Sequence, residues 1–345
     1  MTRLSIGSGR WLALFSLSAC TSGYVLDPHA PRAAMSEVVP PMAAAGAGHA
    51  AEPPPPSAAA AAGTEALQMH VAPQGGSDAH VQRPLPEHVL GVTVTDVGPL
   101  DGITDALRNL AQRPTTRIVF DARRQAITYV PAARELHAVS YVMGELVDSV
   151  DVADVSLDVY AARTTDYLDE LSDLVDIWEV GNEVNGEWLG PSEKVKAKIY
   201  ASYKLVKERD RLTALTLYFN QGCVQQPDHE LFTWAANNIP EDMRQGLDYV
   251  WISYYEQRCH GQEPDWESVF TRLHEQFPHA KLGFGGCGTS VVADKAKLVR
   301  HFYGLEVDAP NFVGGYFWWY FREDMQPASA PLWTVLNHSW ISSPL

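Results

Sequence analysis

The chain has 345 residues, 46% of them hydrophobic, and its 42 acidic side chains outnumber the 26 basic ones to give a formal net charge of −16. This length allows a large buried core, and the acidic balance disfavours nucleic acid as a partner. The lysines from Lys194 to Lys207 lie on a predicted exposed helix, and no basic stripe extends beyond them. We therefore expect no nucleic-acid binding.

The first twenty residues indicate export. Two arginines precede an apolar run from Trp11 to Leu17, and Ser18, Ala19 and Cys20 follow it. The segment ending at Cys20 resembles the bacterial lipobox, which implies cleavage before Cys20 and lipid on its sulfur. We predict a signal peptide over 1–19 and an exported lipoprotein at the periplasmic or outer-membrane face. An ordinary signal peptide and a secreted protein are the alternative.

The next segment, 20–87, is rich in Ala, Pro and Gly, with four prolines from Pro53 to Pro56 and five alanines from Ala58 to Ala62. Such a composition cannot bury enough apolar surface to offset the entropy of ordering. We predict a disordered tether that holds a globular domain away from the membrane. No later apolar run reaches the ~20 residues of a spanning helix.

The remainder, 88–345, is close to the ~250 residues of a (β/α)₈ TIM barrel. Short apolar runs alternate there with amphipathic helical patterns, as βα units require. No Gly-x-Gly-x-x-Gly follows the first strand, so a doubly wound nucleotide-binding sheet is disfavoured and no cofactor is expected. The eight predicted strands are Val89 to Thr95, Arg117 to Phe120, Ala138 to Met143, Asp176 to Gly181, Ala214 to Phe219, Tyr249 to Ser253, Lys281 to Phe284 and Phe312 to Trp318.

The fourth predicted strand carries the most informative motif, Trp178-Glu179-Val180-Gly181-Asn182-Glu183. It places a carboxylate at the carboxyl end of a strand, where barrel enzymes keep their chemistry. The motif resembles the strand-four signature of the clan A glycoside hydrolases. The resemblance implies that Asn182 contacts the sugar 2-hydroxyl and that Glu183 is the general acid/base. A solvent-facing strand end is the plain structural alternative.

The other predicted strand ends carry carboxylates, amides and aromatic rings, a combination that suits a neutral sugar because rings stack on its C–H faces and polar groups bind its hydroxyls. We expect a monomer that binds an oligo- or polysaccharide. The candidate substrate-binding residues, besides Asn182, are Asp121, Asn220, Tyr255 and Trp318.

The seventh strand departs from the family pattern. Retaining glycosidases need a nucleophilic carboxylate about 5–5.5 Å from the acid, and the resemblance implies that Gly286 stands at this position. The glycine predicts a void large enough for a small anion. Without a second negative charge, the pKa of Glu183 is expected to fall toward about 4.3.

Three explanations for Gly286 stay open. In the first, Glu256 or Glu145 replaces the missing carboxylate, either at the retaining distance or farther from the acid, as in an inverting enzyme at ~6.5–9.5 Å. Alternatively, the barrel binds a glycan without cleaving it, as a pseudoenzyme or surface-interaction protein. The third possibility is an error in the strand-seven register. The function predicted first is hydrolysis of O-glycosidic bonds of a neutral glycan with Glu183 as general acid/base.

The remaining cysteines follow three consecutive strands. Adjacent loops in an exported protein predict a disulfide between Cys223 and Cys259 and leave Cys287 as a free buried thiol. No Cys-x-x-Cys or His-x-x-x-His spacing occurs, so no metal is expected.

Overall fold

The structure is a computed structural model, and it describes residues 83–342. The predicted signal peptide over 1–19, the lipidation site Cys20, the tether up to residue 82 and the last three residues lie outside the described part. Within 83–342, no helix is both long enough and apolar enough to span a bilayer.

Eight parallel strands close into a barrel in sequence order, with helices between them, which confirms the predicted (β/α)₈ fold. The third strand begins three residues later than predicted, because Ala138 and Val139 form the last turn of the preceding helix. The strands are β1 (Val89–Val94), β2 (Thr115–Val119), β3 (Tyr141–Glu145), β4 (Ile177–Gly181), β5 (Leu212–Tyr218), β6 (Tyr249–Tyr254), β7 (Lys281–Cys287) and β8 (Gly314–Trp318).

Helices surround the barrel, which confirms the predicted alternation of strands and amphipathic helices. The buried face of the third helix includes Tyr160, Tyr167 and Leu171, and Asp265 caps the seventh by accepting a hydrogen bond from Ser268 N at 3.2 Å. The helices are α1 (Asp101–Arg108), α2 (Val130–Val139), α3 (Leu157–Leu171), α4 (Ser192–Lys207), α5 (Leu231–Asn238), α6 (Glu241–Gly246), α7 (Trp266–Gln276), α8 (Val292–Tyr303), α9 (Phe321–Asp324) and α10 (Pro331–Ser342).

The amino-terminal half of the barrel interior is an apolar layer. Alternate side chains of the strands point inward and pack together there, as the period of two in a strand requires. Leu85 packs against this layer from below, and Arg83 pairs with Asp176 at the base of β4. The layer consists of Val89, Met143, Ile177, Ala214, Tyr249, Trp251, Val313 and Phe317.

Strand β8 contains a bulge that sets the direction of its aromatic side chains. Gly314, Gly315 and Tyr316 all have positive φ, at 94°, 97° and 62°, and the pairing register with β1 shifts beside them. Two glycines adopt this conformation without a steric penalty, whereas Tyr316 is held by a 2.6 Å hydrogen bond from its hydroxyl to Leu305 O. Beyond the bulge, Phe317 points into the barrel and Trp318 into the surrounding helices.

Candidate active site at the carboxyl-terminal face of the barrel

Glu183 follows strand β4 at the carboxyl-terminal face, is 2% exposed and has φ of 46°. A non-glycine residue with positive φ persists only where surrounding contacts hold it. Val184 N donates to Thr216 O at 3.1 Å, and Gly186 N donates to Glu183 O at 2.7 Å. These bonds make the turn after β4 tight and place the carboxyl group of Glu183 inside the barrel mouth.

Serine hydroxyls from two neighbouring elements lie at the carboxyl group of Glu183. Ser149 Oγ, from the loop after β3, donates to Glu183 Oε2 at 3.3 Å, and the hydroxyl of Ser253 on β6 lowers the pKa of Glu183. Ser253 Oγ accepts a 2.9 Å bond from Gly286 N on β7. Ser253 thus fixes the backbone of β7 beside the site.

Burial raises the pKa of Glu183 to about 7, and this is the main electrostatic feature of the site. Arg117, Arg258 and the two serines act in the opposite direction and offset only part of the rise. The expectation that this pKa falls toward 4.3 is therefore wrong, because desolvation takes the place of a neighbouring negative charge. A carboxyl group with this pKa can hold or release a proton near neutral pH.

Asn182 lies beside Glu183 and is also buried. Its Oδ1 accepts a hydrogen bond from Ser149 N at 3.4 Å, and its Nδ2 donates to Glu179 Oε1 at 3.4 Å. The side chain therefore connects the loop after β3 to the polar interior of the barrel. The structure brings Asn182 and Glu183 together, as the motif predicts.

Beneath Asn182 and Glu183 lies a fully buried charge cluster made of Arg117, Glu145 and Glu179. Arg117 donates from Nε and Nη2 to the two oxygens of Glu179, both at 2.7 Å, and Glu145 Oε2 lies 3.0 Å from Arg117 Nε. Thr216 Oγ1 also donates to Glu179. Such a bidentate pair is the strong form of a buried ion pair.

The predicted catalytic candidate Glu145 belongs to this cluster. Burial raises the pKa of Glu145 well above its ordinary value, although Arg117 lowers it. For Arg117 the balance is reversed: burial lowers its pKa, but Glu145 and Glu179 together raise it above its ordinary value. Glu145 and Glu179 thus share Arg117 as their cation, and burial favours the neutral form of Glu145.

An aromatic group surrounds the mouth above the charge cluster. Tyr218, Tyr255 and Trp319 pack together, and Arg117 lies 5.7 Å from the Trp319 ring. Trp188, from the loop after β4, meets Tyr218 edge-on at 5.3 Å and is 42% exposed. An exposed indole beside a buried acid is the arrangement that a sugar ring can stack on.

The predicted substrate-binding residue Trp318 lies elsewhere. It is buried among the helices outside the barrel, and its Nε1 donates to Asp324 Oδ2 at 3.0 Å. Its neighbour Trp319 is the tryptophan at the mouth. Successive residues of a strand point to opposite faces. A prediction that is wrong by one position therefore selects a core residue, here Trp318, in place of the site residue Trp319.

Gly286 lies on β7, between the strands that precede Tyr255 and Trp319, and the void expected at its side chain is absent. A Cβ atom placed on Gly286 would lie 2.6 Å from Tyr255 Oη and 3.0 Å from Ser253 Oγ. Real Cβ atoms do not approach an oxygen so closely. The hydroxyl of Tyr255 therefore occupies the space where a side chain at 286 would begin.

Two further predicted binding residues have their polar groups committed to backbone contacts. Asp121 accepts a 2.9 Å hydrogen bond from Arg123 N and a 3.2 Å bond from its guanidinium, which hold the pKa of Asp121 below its ordinary value. Asn220 donates to His229 O at 2.9 Å and accepts from Leu231 N at 3.0 Å. The amide of Asn220 thus stabilises the loop before α5.

Glu256, the other predicted second carboxylate, is placed on the α8 side of the barrel. Burial raises the pKa of Glu256, while His301 and Lys297 of α8 lower it. It begins the 3-10 turn Glu256–Cys259, and its charged neighbours are these side chains of α8. The structure therefore groups Asn182, Glu183, Tyr255 and Gly286, with Glu145 beneath them, and separates Glu256 from that group.

Cys223, Cys259 and Cys287 are arranged as predicted. Cys223 and Cys259 form a disulfide that joins the loops after β5 and β6 beside the mouth. Cys287 is a buried thiol whose Sγ lies 3.3 Å from Tyr316 O, and burial raises its pKa well above the ordinary value. Within residues 83–342, no three His, Cys, Asp or Glu side chains are grouped closely enough to hold a metal ion.

Sequence reasoning missed several residues of the site. The sequence did contain a signal for Arg117 and Glu179, because a charged residue in the middle of an apolar strand of a closed barrel must find a partner inside it. Ser149, Ser253 and Tyr218 carried no comparable signal, since hydroxyl groups are common at strand ends. The missed residues are Arg117, Glu179, Ser149, Ser253, Tyr218 and Trp319.

No protein-family description and no curated protein sequence matches the chain. Among solved structures, it is similar to Gas2p of Saccharomyces cerevisiae bound to a small compound, with 16% identity, a TM-score of 0.50, and coverage of 74% of this chain and 65% of that one. Gas2p complexes with laminaripentaose, and with laminaritriose and laminaritetraose, match at 15% identity and a TM-score of 0.48. The chain thus spans about two thirds of Gas2p at most. The likeness is one of fold, a (β/α)₈ barrel.

Proposed function

We propose that this protein acts on the O-glycosidic bonds of a neutral oligo- or polysaccharide, with Glu183 as the proton donor. The observation that carries the proposal is a buried carboxyl group with a pKa of about 7 at the carboxyl end of a barrel strand. Barrel enzymes place their catalytic groups at this face, and a general acid works best when its pKa lies near the working pH.

The surroundings of Glu183 support a sugar as the ligand. Tyr218, Tyr255 and Trp319 form one wall of the mouth, and Trp188 extends it toward solvent. Aromatic faces bind the C–H surfaces of sugar rings, and Asn182 supplies an amide beside the acid. The net charge of −16 disfavours an anionic polymer, which leaves neutral glycans as the preferred class.

A second candidate function is glycan binding without cleavage, and one observation favours it. The hydroxyl of Tyr255 fills the space beside Gly286, so no carboxylate reaches the site from β7. Of the other carboxyl groups, Glu145 and Glu179 are bound to Arg117, and Glu256 lies on the α8 side. Glu183 can serve as the acid, but none of these three carboxyl groups is placed as a second catalytic group on the opposite face of a bound sugar.

Glu183→Gln tests the role of the acid and separates the two candidates. General acid catalysis typically contributes about 10²–10⁴-fold, so this variant should lose hydrolysis by that factor while glycan affinity stays within about tenfold. A glycan array should identify the ligand, and reducing-end release should measure turnover. Glu170→Gln on the exposed face of α3 is the matched control.

Unchanged turnover in the Glu183→Gln variant would remove Glu183 from the mechanism. Tight binding by the wild type with no release of reducing ends would establish the binding function instead. No binding to any glycan on the array would refute both candidates.

We also propose that the protein is exported and held at the bacterial membrane by lipid on Cys20, as a monomer. The support is the sequence ending in Leu17-Ser18-Ala19-Cys20 after an apolar run. Cys20→Ser should leave the protein unprocessed or move it to the soluble fraction. Detergent partitioning measures this, and an unmodified wild type in the aqueous phase would contradict the anchor.

A further inference from the structure

Gly286 and Tyr255 fit each other so closely that neither can be considered alone. The Tyr255 hydroxyl is 2.6 Å from the position of a Cβ on Gly286, and Tyr255 Cζ is 3.4 Å from it. The first distance excludes a side chain, whereas the second is an ordinary contact. The exclusion therefore rests mainly on one oxygen atom of Tyr255, with a smaller contribution from Ser253 Oγ at 3.0 Å.

Tyr255 cannot easily move away from Gly286. It is 5% exposed, and its ring packs against Tyr218 and Trp319. It also begins the 3-10 turn that ends at Cys259, where the disulfide to Cys223 fixes the chain. A 2.9 Å bond from Arg258 N to Tyr255 O closes this turn. The packing and the disulfide together hold the hydroxyl beside β7.

The chemistry of a tyrosine at this place differs from that of a carboxylate. Burial raises the pKa of Tyr255 well above its ordinary value, so the phenol stays protonated and is a weak nucleophile. It can donate a hydrogen bond to a sugar hydroxyl or ring oxygen. A protonated phenol does not form a stable bond to the anomeric carbon without a base to accept its proton.

We propose that Tyr255 determines the reaction course at this site: its hydroxyl takes the place of a side chain at 286 and prevents a covalent glycosyl intermediate. This rests on the proposed function in that the ligand is a glycan. It goes beyond the proposed function by assigning the exclusion of a side chain at position 286 to the pair Gly286 and Tyr255. Gly286→Glu alone should consequently give no activity, because its Cβ meets the Tyr255 hydroxyl.

The first test is a stability cycle that needs no ligand. Gly286→Ala should lower the melting temperature by roughly 3–10 °C, the usual effect of overpacking in a domain of this size. Adding Tyr255→Phe should recover at least half of that loss, since only the hydroxyl is removed. Gly98→Ala is the control, because a Cβ there meets no atom within 4 Å, and its melting temperature should match the wild type.

The second test asks for a covalent intermediate directly. The proteins are incubated with 2-deoxy-2-fluoroglycosyl fluorides of neutral sugars, and intact-mass spectrometry detects adducts. In the double variant Tyr255→Phe with Gly286→Glu, the introduced carboxylate oxygen should bond to the anomeric carbon as fluoride leaves with the electron pair. The wild type and both single variants should give no adduct.

Full stability in Gly286→Ala, no recovery on adding Tyr255→Phe, or an adduct on the wild type would each overturn the proposal. A folded double variant that forms no adduct from a sugar that the wild type binds would do the same. A wild type that binds no glycan refutes the proposed function alone, because the stability cycle still decides whether Tyr255 excludes a side chain at 286.

Discussion

The two ends of the barrel interior differ in polarity. The amino-terminal layer consists of apolar side chains such as Met143, Ile177 and Trp251. The next inward-facing positions of β3 and β4 carry Glu145 and Glu179, which form the buried cluster with Arg117 of β2. In strand β4 the change takes place between Ile177 and Glu179, which are two positions apart and share the inward face. The second of these layers contacts the candidate active site through Asn182, whose Nδ2 donates to Glu179 Oε1 at 3.4 Å.

The difference shows how one barrel separates stability from chemistry. Apolar burial stabilises by roughly 25 cal/mol per Å² and requires no specific partner. A buried charge cluster contributes little net stability, because desolvation of the charges offsets their attraction, but it becomes very costly when one member is removed. The apolar layer therefore tolerates small changes, whereas the charge cluster fixes Asn182 and the strand ends in one geometry.

Replacement of Arg117 should have the largest effect on the unfolding free energy, since Arg117 is the only cation of the charge cluster. Arg117→Met leaves Glu145 and Glu179 buried without a positive partner and should cost about 3–5 kcal/mol of unfolding free energy. Urea unfolding measures this. Adding Glu179→Gln should recover part of the loss, because it removes the carboxylate that the arginine had neutralised.

Ile177→Val is the matched change in the apolar layer, where it should cost only about 0.5–1.5 kcal/mol. If Arg117→Met costs no more than Ile177→Val, the contrast between the two layers is wrong.

A smaller effect should appear in the pH dependence of stability. Burial raises the folded-state pKa of Glu183 from 4.5 to about 7, so the folded protein holds this proton more tightly than the unfolded chain does. The stabilising contribution is complete below about pH 4.5 and is lost as pH rises through 7. Its magnitude should be about 3 kcal/mol.

Unfolding free energies of the wild type and Glu183→Gln, measured from pH 4.5 to 8, test this prediction. The difference between them should change across that range and level off above pH 8, because glutamine does not titrate. Glu170→Gln should follow the wild type throughout. Parallel curves for the wild type and Glu183→Gln would show that burial does not raise the pKa of Glu183.

The sequence alone was enough to predict part of the site. A polar pair that closes an apolar strand predicts Asn182 and Glu183, and the end of the sixth predicted strand supplies Tyr255. The resemblance to the clan A glycoside hydrolases, rather than the residue pattern, implies the position of Gly286. Glu256 and Trp318 were placed one position away from residues that do face the mouth, Tyr255 and Trp319. Local pattern locates the end of a strand, but not which of two adjacent side chains points inward.

By itself, the sequence determined the number and order of the strands, the position of Glu183 at the end of the fourth and the pairing of Cys223 with Cys259. These properties follow from periodicity, segment length and the proximity of consecutive loops, all of which are local. Tertiary structure alone decided that the pKa of Glu183 rises and that Tyr255 fills the space beside Gly286. Both depend on atoms from different strands brought within a few ångströms, and burial or contact between strands leaves no trace in the order of residues.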